Sequence, residues 1–250
     1  MSTFSVSSSQ ISWGPLGALL ITGIAVFGGQ VIGLGVVVSF LLLTTTEPIQ
    51  AVLARVETDI TLLFSSYFIA QAVALGVVYS FVRWRKGSLA MLGLRRFEWR
   101  KALKLVVLSL LGFALTAGLV TVLLQMVAPT VDLTAQQDIG FLKADLGYEL
   151  ILAFMAVVVL APFAEELIFR GLLLPALSKT IGLVPAVVIV SLGFGLLHPP
   201  LSAMVIIAVF ALFLALIYVR TNSLWPAILL HSTKNLIAFI AIVTNLGVGL

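Results

Sequence analysis

The chain contains no cysteine, and only 10% of its 250 residues are charged. Without cysteine there is no disulfide, no thiolate metal site and no cysteine nucleophile. Histidine is almost as scarce, with two in the whole chain. Residues 1–46 carry no charged side chain, so the basic leading region of a cleaved signal peptide is missing and none is expected. Soluble domains are about a quarter charged. A chain this poor in charge and 61% hydrophobic cannot hide its apolar side chains in a small water-soluble globule. The mean hydropathy of +1.22 agrees. These shortages exclude a soluble enzyme and a nucleic-acid-binding module, and they point to an integral membrane protein.

What is present is a series of long apolar runs. A helix needs about 20 mostly apolar residues to cross the hydrocarbon core. Runs of that length fall at 16–43, 59–82, 104–128, 148–178, 183–198, 201–219 and 224–245. The two-residue alternation of a membrane β-barrel is absent. The expected fold is therefore all-α, a polytopic helical bundle of about seven (six to eight) transmembrane helices. The chain reads as one membrane domain over residues 1–250, with N-terminal helices and a basic loop in 1–147 and the polar-bearing core in 148–245.

The cations give an orientation. Arg83, Arg85, Lys86, Arg95, Arg96, Arg100, Lys101 and Lys104 cluster around one connection. Placing that loop inside also places Lys179 and Arg220 inside, while Arg55 and Lys143 fall outside. This imbalance predicts a cytoplasmic N-terminus and an outer loop 129–147 carrying Asp132, Asp138 and Asp145. The stretch 87–101 mixes apolar and basic residues and is expected to lie at the interface, against anionic headgroups. The net charge of +4 is thus assigned to the membrane surface, with no nucleic-acid partner.

Removing the loop charges leaves Glu165, Glu166, Arg170, His198, His231 and Lys234 inside the predicted spans. Each charge at mid-bilayer costs at least about 2.5 kcal/mol, so these groups should face a protein-lined, partly wet cavity. Glu166 and Arg170 are four apart and share a helix face, while Glu165 lies about 100° away, so one carboxylate can be paired and the other left available. His231 and Asn235 are also four apart. Phe194 stands one turn from His198 and can pack on its ring. Pro162 removes an N–H one turn before the glutamates and frees a carbonyl. Asn222 or Ser223 is positioned to cap the last helix. Taken alone, Glu166–Arg170 reads first as a structural ion pair, and a lone membrane histidine as an interhelical hydrogen-bonding group. Lys234 has two readings, a partner for a glutamate or a side chain stretching toward water.

Several hydrolytic routes are closed. Ser232 adjoins His231 but sits on a different helix face, every aspartate lies in a loop or at a membrane edge, and the H-E-x-x-H zinc helix is absent. A carboxylate and two histidines, brought from three helices, remain.

Glu165-Glu166-Leu167-Ile168-Phe169-Arg170-Gly171 reads as EExxFRG, Phe194 to His198 as FxxxH, and His231 to Asn235 as HxxxN. In this order the three resemble the motifs of the CAAX-protease and bacteriocin-processing (Abi) family of intramembrane peptidases, over about residues 148–245. The resemblance implies a multi-pass protein of a prokaryotic plasma membrane that hydrolyses membrane-bound, lipidated or leader-bearing peptides. It implies Glu165 as general base, His198 holding the water, and His231 with Asn235 as donors to the oxyanion. Glu166 and Arg170 would organise that group, with Phe194 supporting His198. No cofactor is required on this reading. The alternative is a zinc peptidase, with Glu165, His198 and His231 as ligands. Two rivals from other classes are a transporter or proton relay, and a catalytically idle immunity or scaffold protein.

Overall fold

The computed structural model describes residues 11–132, 140–141 and 147–244. Asp138, Lys143 and Asp145, which the orientation argument placed outside, lie beyond the described residues. In chain order the helices are α1 (Pro15–Thr44), α2 (Ile49–Thr58), α3 (Ile60–Trp84), α4 (Trp99–Val127), α5 (Tyr148–Ile181), α6 (Leu183–Leu196), α7 (Leu201–Thr221) and α8 (Leu224–Val243). All but α2 and α6 are long and apolar enough to cross a membrane. The protein is a multi-pass, all-α integral membrane protein, and no strand occurs among the described residues.

Two helices depart from the expected spans. α2 was read as a connection. Its Val52 and Val56 lie one turn apart and are buried against Val37 and Leu41 of α1, which is enough to fold a short helix onto a neighbour. α6 has 14 residues, about 21 Å of helix, short of the roughly 30 Å hydrocarbon thickness. The chain therefore leaves helical geometry at membrane depth, and His198 sits on that stretch, just before Pro199-Pro200. Irregular backbone at such depth is tolerated only where it is buried in protein or lines a cavity.

Close backbone approach fixes the helix pairs that wall this cavity. Gly29 and Gly33 of α1 face Ser66, Ala70 and Ala74 of α3, and a Cβ on Gly33 would collide with the Ser66 carbonyl oxygen. A Cβ on Gly195 of α6 would likewise strike the Met204 carbonyl of α7. Such small-residue seams let van der Waals packing hold helices together where lipid supplies no hydrophobic drive. The outward face of α4, with Leu111, Leu115, Leu119 and Met126 exposed, is left to the lipid.

The basic connection is more firmly seated than an interfacial segment need be. Trp99 and Phe97 are exposed, but Leu92 is fully buried and Gly93, at φ 89°, presses against the Tyr218 ring. The Leu224 N–H donates to the Gly93 carbonyl at 2.8 Å, and Ser223 Oγ donates to the Arg95 carbonyl at 2.9 Å. Ser223 therefore does not cap α8 through its side chain, because its hydroxyl is used to dock the basic loop. Asn222 instead closes α7 in the left-handed conformation, with φ 50°.

Candidate active site

α5 runs through the middle of the bundle and is not a uniform α-helix. It widens to π-helical spacing at Met155–Leu160 and again at Leu167–Leu173, on either side of the turn that bears both glutamates. Such widened turns shift the side chains that follow around the helix axis and recur at functional sites. Pro162 explains part of the first one. The Ala161 N–H reaches back five residues to the Ala156 carbonyl. The next residue, Pro162, has no N–H to offer Val157 at that spacing. Asn235 of α8 supplies the missing donor, with Nδ2 giving a 2.9 Å hydrogen bond to the Val157 carbonyl.

The two adjacent glutamates go to different environments. Glu166 is fully buried, and its Oε1 accepts from Arg170 Nη1 at 2.9 Å and from His231 Nδ1 at 2.9 Å. Arg170, equally buried, also donates from Nη2 to the Ala211 carbonyl at 3.2 Å and lies 4.5 Å from the centre of the Phe194 ring. Glu165 turns the other way and keeps a quarter of its side chain exposed, facing a cavity of about 450 Å³. Its Oε2 is 3.8 Å from His231 Nε2.

That cavity is also lined by His198, His231, Lys234, Asn235, Gln30 and Tyr67. A smaller one of about 290 Å³, reaching toward α1 and α3, shares Glu165, His198, Phe194 and Gln30. The free carboxylate and His198 are therefore approached from two sides. Both volumes together fall in the range of ligand pockets, about 300–1,000 Å³.

Hydrogen bonding fixes the imidazole tautomers. His198 Nδ1 lies 2.7 Å from the Phe194 carbonyl, which only accepts, so Nδ1 carries the proton and Nε2 is left with a lone pair. His231 Nδ1 donates to Glu166, which leaves its Nε2 toward Glu165. Phe194 supports both rings, at 4.8 Å from His198 and 5.9 Å from His231, and stacks edge-on against Phe169 at 5.0 Å.

All the sequence-predicted site residues thus meet in one place, with three particulars the sequence does not carry. His231 and Asn235 each spend a donor hydrogen inside the protein, on Glu166 and Val157, so in this conformation Asn235 keeps one amide hydrogen and neutral His231 keeps none. Lys234 pairs with neither glutamate: no acid among the described residues lies within 4 Å of its Nζ, which is 5.9 Å from the centre of the Phe210 ring. Gln30 and Tyr67 come from the N-terminal helices, where no site residue was expected. Their signal is weak: an amide and a phenol within long apolar runs. No three His, Cys, Asp or Glu side chains among the described residues are grouped as a ligand set.

A proton-accepting carboxylate and a lone-pair nitrogen on His198, lining one cavity, suit the activation of one water molecule. No curated protein and no solved structure matches the chain. Residues 147–237, which carry every motif of the site, match the family described as Type II CAAX prenyl endopeptidase Rce1-like.

Proposed function

We propose that the protein hydrolyses a peptide bond of a membrane-associated substrate with a water activated by Glu165 and His198. One observation carries the reading: the hydrogen-bonded Glu166–Arg170–His231 network leaves Glu165 outside it, 3.8 Å from His231 Nε2 and facing a cavity shared with His198. Water held between Glu165 and His198 Nε2 gives its proton to the carboxylate as its oxygen attacks the carbonyl carbon. The proton then passes from Glu165 to the leaving nitrogen as the C–N bond breaks. Glu166 and Arg170 hold His231 in place, and Phe194 holds His198. The second Asn235 amide hydrogen serves the developing oxyanion in this reading.

The substrate class we propose is a prenylated, single-span or leader-bearing peptide in a prokaryotic plasma membrane, with the N-terminus of the enzyme in the cytoplasm and the basic loop against anionic headgroups. The test is purified protein in vesicles of phosphatidylglycerol and phosphatidylethanolamine, supplied with fluorogenic peptides of these three kinds. Cleavage of at least one supports the reading, and cleavage of none, with the protein folded, opposes it. The route described uses no metal. Turnover is therefore expected to be unchanged by chelator, with zinc well below one per chain in elemental analysis. Loss of activity on chelation, restored by zinc, contradicts that part of the proposal.

A further inference from the structure

Lys234 is the one charged side chain at the cavity for which the proposed route has no use. Its ammonium faces the space that Glu165 and His198 also line, and it rests against the Phe210 ring without an acid within ion-pair distance among the described residues. Charge within the network beside it is already balanced, since Glu166 is matched by Arg170. The remaining opposite charges, Glu165 and Lys234, line the same cavity without an ion pair within 4 Å.

Attack by the activated water converts the carbonyl oxygen into an anion, and that anion needs donors. The HxxxN helix offers few: His231 Nδ1 donates to Glu166, which leaves a neutral ring no second N–H, and Asn235 has one hydrogen on Val157. His198 has its proton on the Phe194 carbonyl. Lys234, on the same helix between His231 and Asn235, brings three N–H donors and a full positive charge into a low-dielectric space. We infer that Lys234 is a catalytic residue whose ammonium stabilises the oxyanion of the tetrahedral intermediate.

The electron bookkeeping closes with Lys234 unchanged. Hydroxide forms the new C–O bond as the carbonyl π electrons move to oxygen, and the ammonium attracts that oxyanion. Its electrons return to carbon as the C–N bond breaks, and Glu165 supplies the proton to the departing nitrogen. Charge stabilisation of this kind is stronger in the transition state than in the ground state, so it appears in kcat more than in KM.

The inference rests on the peptidase reading, and the experiment separates the two. Wild type, Lys234→Met and Lys234→Arg are reconstituted with a fluorogenic peptide that wild type cleaves. Binding of the same peptide with its scissile amide replaced by a phosphinate, an anionic tetrahedral mimic, is measured alongside. The expectation is a fall in kcat of about 100- to 1,000-fold for Lys234→Met with KM little changed, and partial recovery in Lys234→Arg. Phosphinate affinity should fall in step with kcat/KM while product affinity does not. A raised KM with kcat preserved, or equal turnover by wild type and Lys234→Met, overturns the inference and leaves the peptidase standing. Equal loss in both variants with a lowered melting temperature also overturns it, as the mark of a structural lysine. No cleavage by wild type overturns the peptidase reading and the inference together.

Discussion

Replacing Glu165 with alanine is expected to cut peptide hydrolysis about 100- to 10,000-fold while leaving the melting temperature close to that of wild type. The expectation follows from what Glu165 touches. Its side chain faces a cavity, and its ion-pair contact is His231 Nε2 at 3.8 Å. Removing it leaves the Glu166–Arg170 ion pair intact. His198→Ala is expected to behave alike, since its ring is held through a single backbone carbonyl and packing on Phe194. Steady-state turnover in vesicles, beside thermal unfolding in detergent, checks both halves. An idle scaffold protein would instead keep its cellular phenotype after Glu165→Ala, and a proton relay would show no cleavage to lose.

The residue next to it should behave in the opposite way. Glu166→Ala is expected to destabilise the protein by about 3–5 kcal/mol, because it leaves Arg170 buried and uncompensated. The same change frees His231 Nδ1, so any folded fraction should also be poorly active. Thermal unfolding measures the loss. Joint replacement of Glu166 by glutamine and Arg170 by methionine should restore much of the stability without restoring turnover, since no isolated charge then remains. A Glu166→Ala protein that melts like wild type would show that the network does not hold the bundle together. Two neighbouring carboxylates of the same type thus have separable phenotypes, one chemical and one structural.

That separation shows how far the sequence could be read. The four-residue spacing of Glu166 and Arg170, with Glu165 about 100° round the helix, already states that the two acids cannot do the same thing. The bilayer's rejection of charge marks out Glu165, Glu166, Arg170, His198, His231 and Lys234, and the apolar runs mark the helices that carry them. The contribution of α1 and α3 was not legible, because Gln30 and Tyr67 are uncharged and cost far less to place in a membrane. Nor was the role of Asn235 toward Val157. It depends on the widened turn before Pro162, which a repeating hydrophobic pattern does not encode. The length of α6 was overestimated for a similar reason: Leu197 and His198 continue the apolar run, but Pro199-Pro200 and the cavity end the helix earlier. Of the two readings of Lys234, the sequence could not show that its side chain lines the cavity with Glu165 and rests against the Phe210 ring, a matter of tertiary packing.

The central claim is that water in this intramembrane cavity breaks a peptide bond. It is tested most directly by incubating reconstituted wild type with a membrane-anchored peptide in isotopically heavy water and reading the products by mass spectrometry. The account predicts a heavy oxygen in the newly formed carboxylate, and no product from Glu165→Ala or His198→Ala. Intact peptide from folded wild type, accompanied by ion-coupled movement across the vesicle membrane, would contradict it.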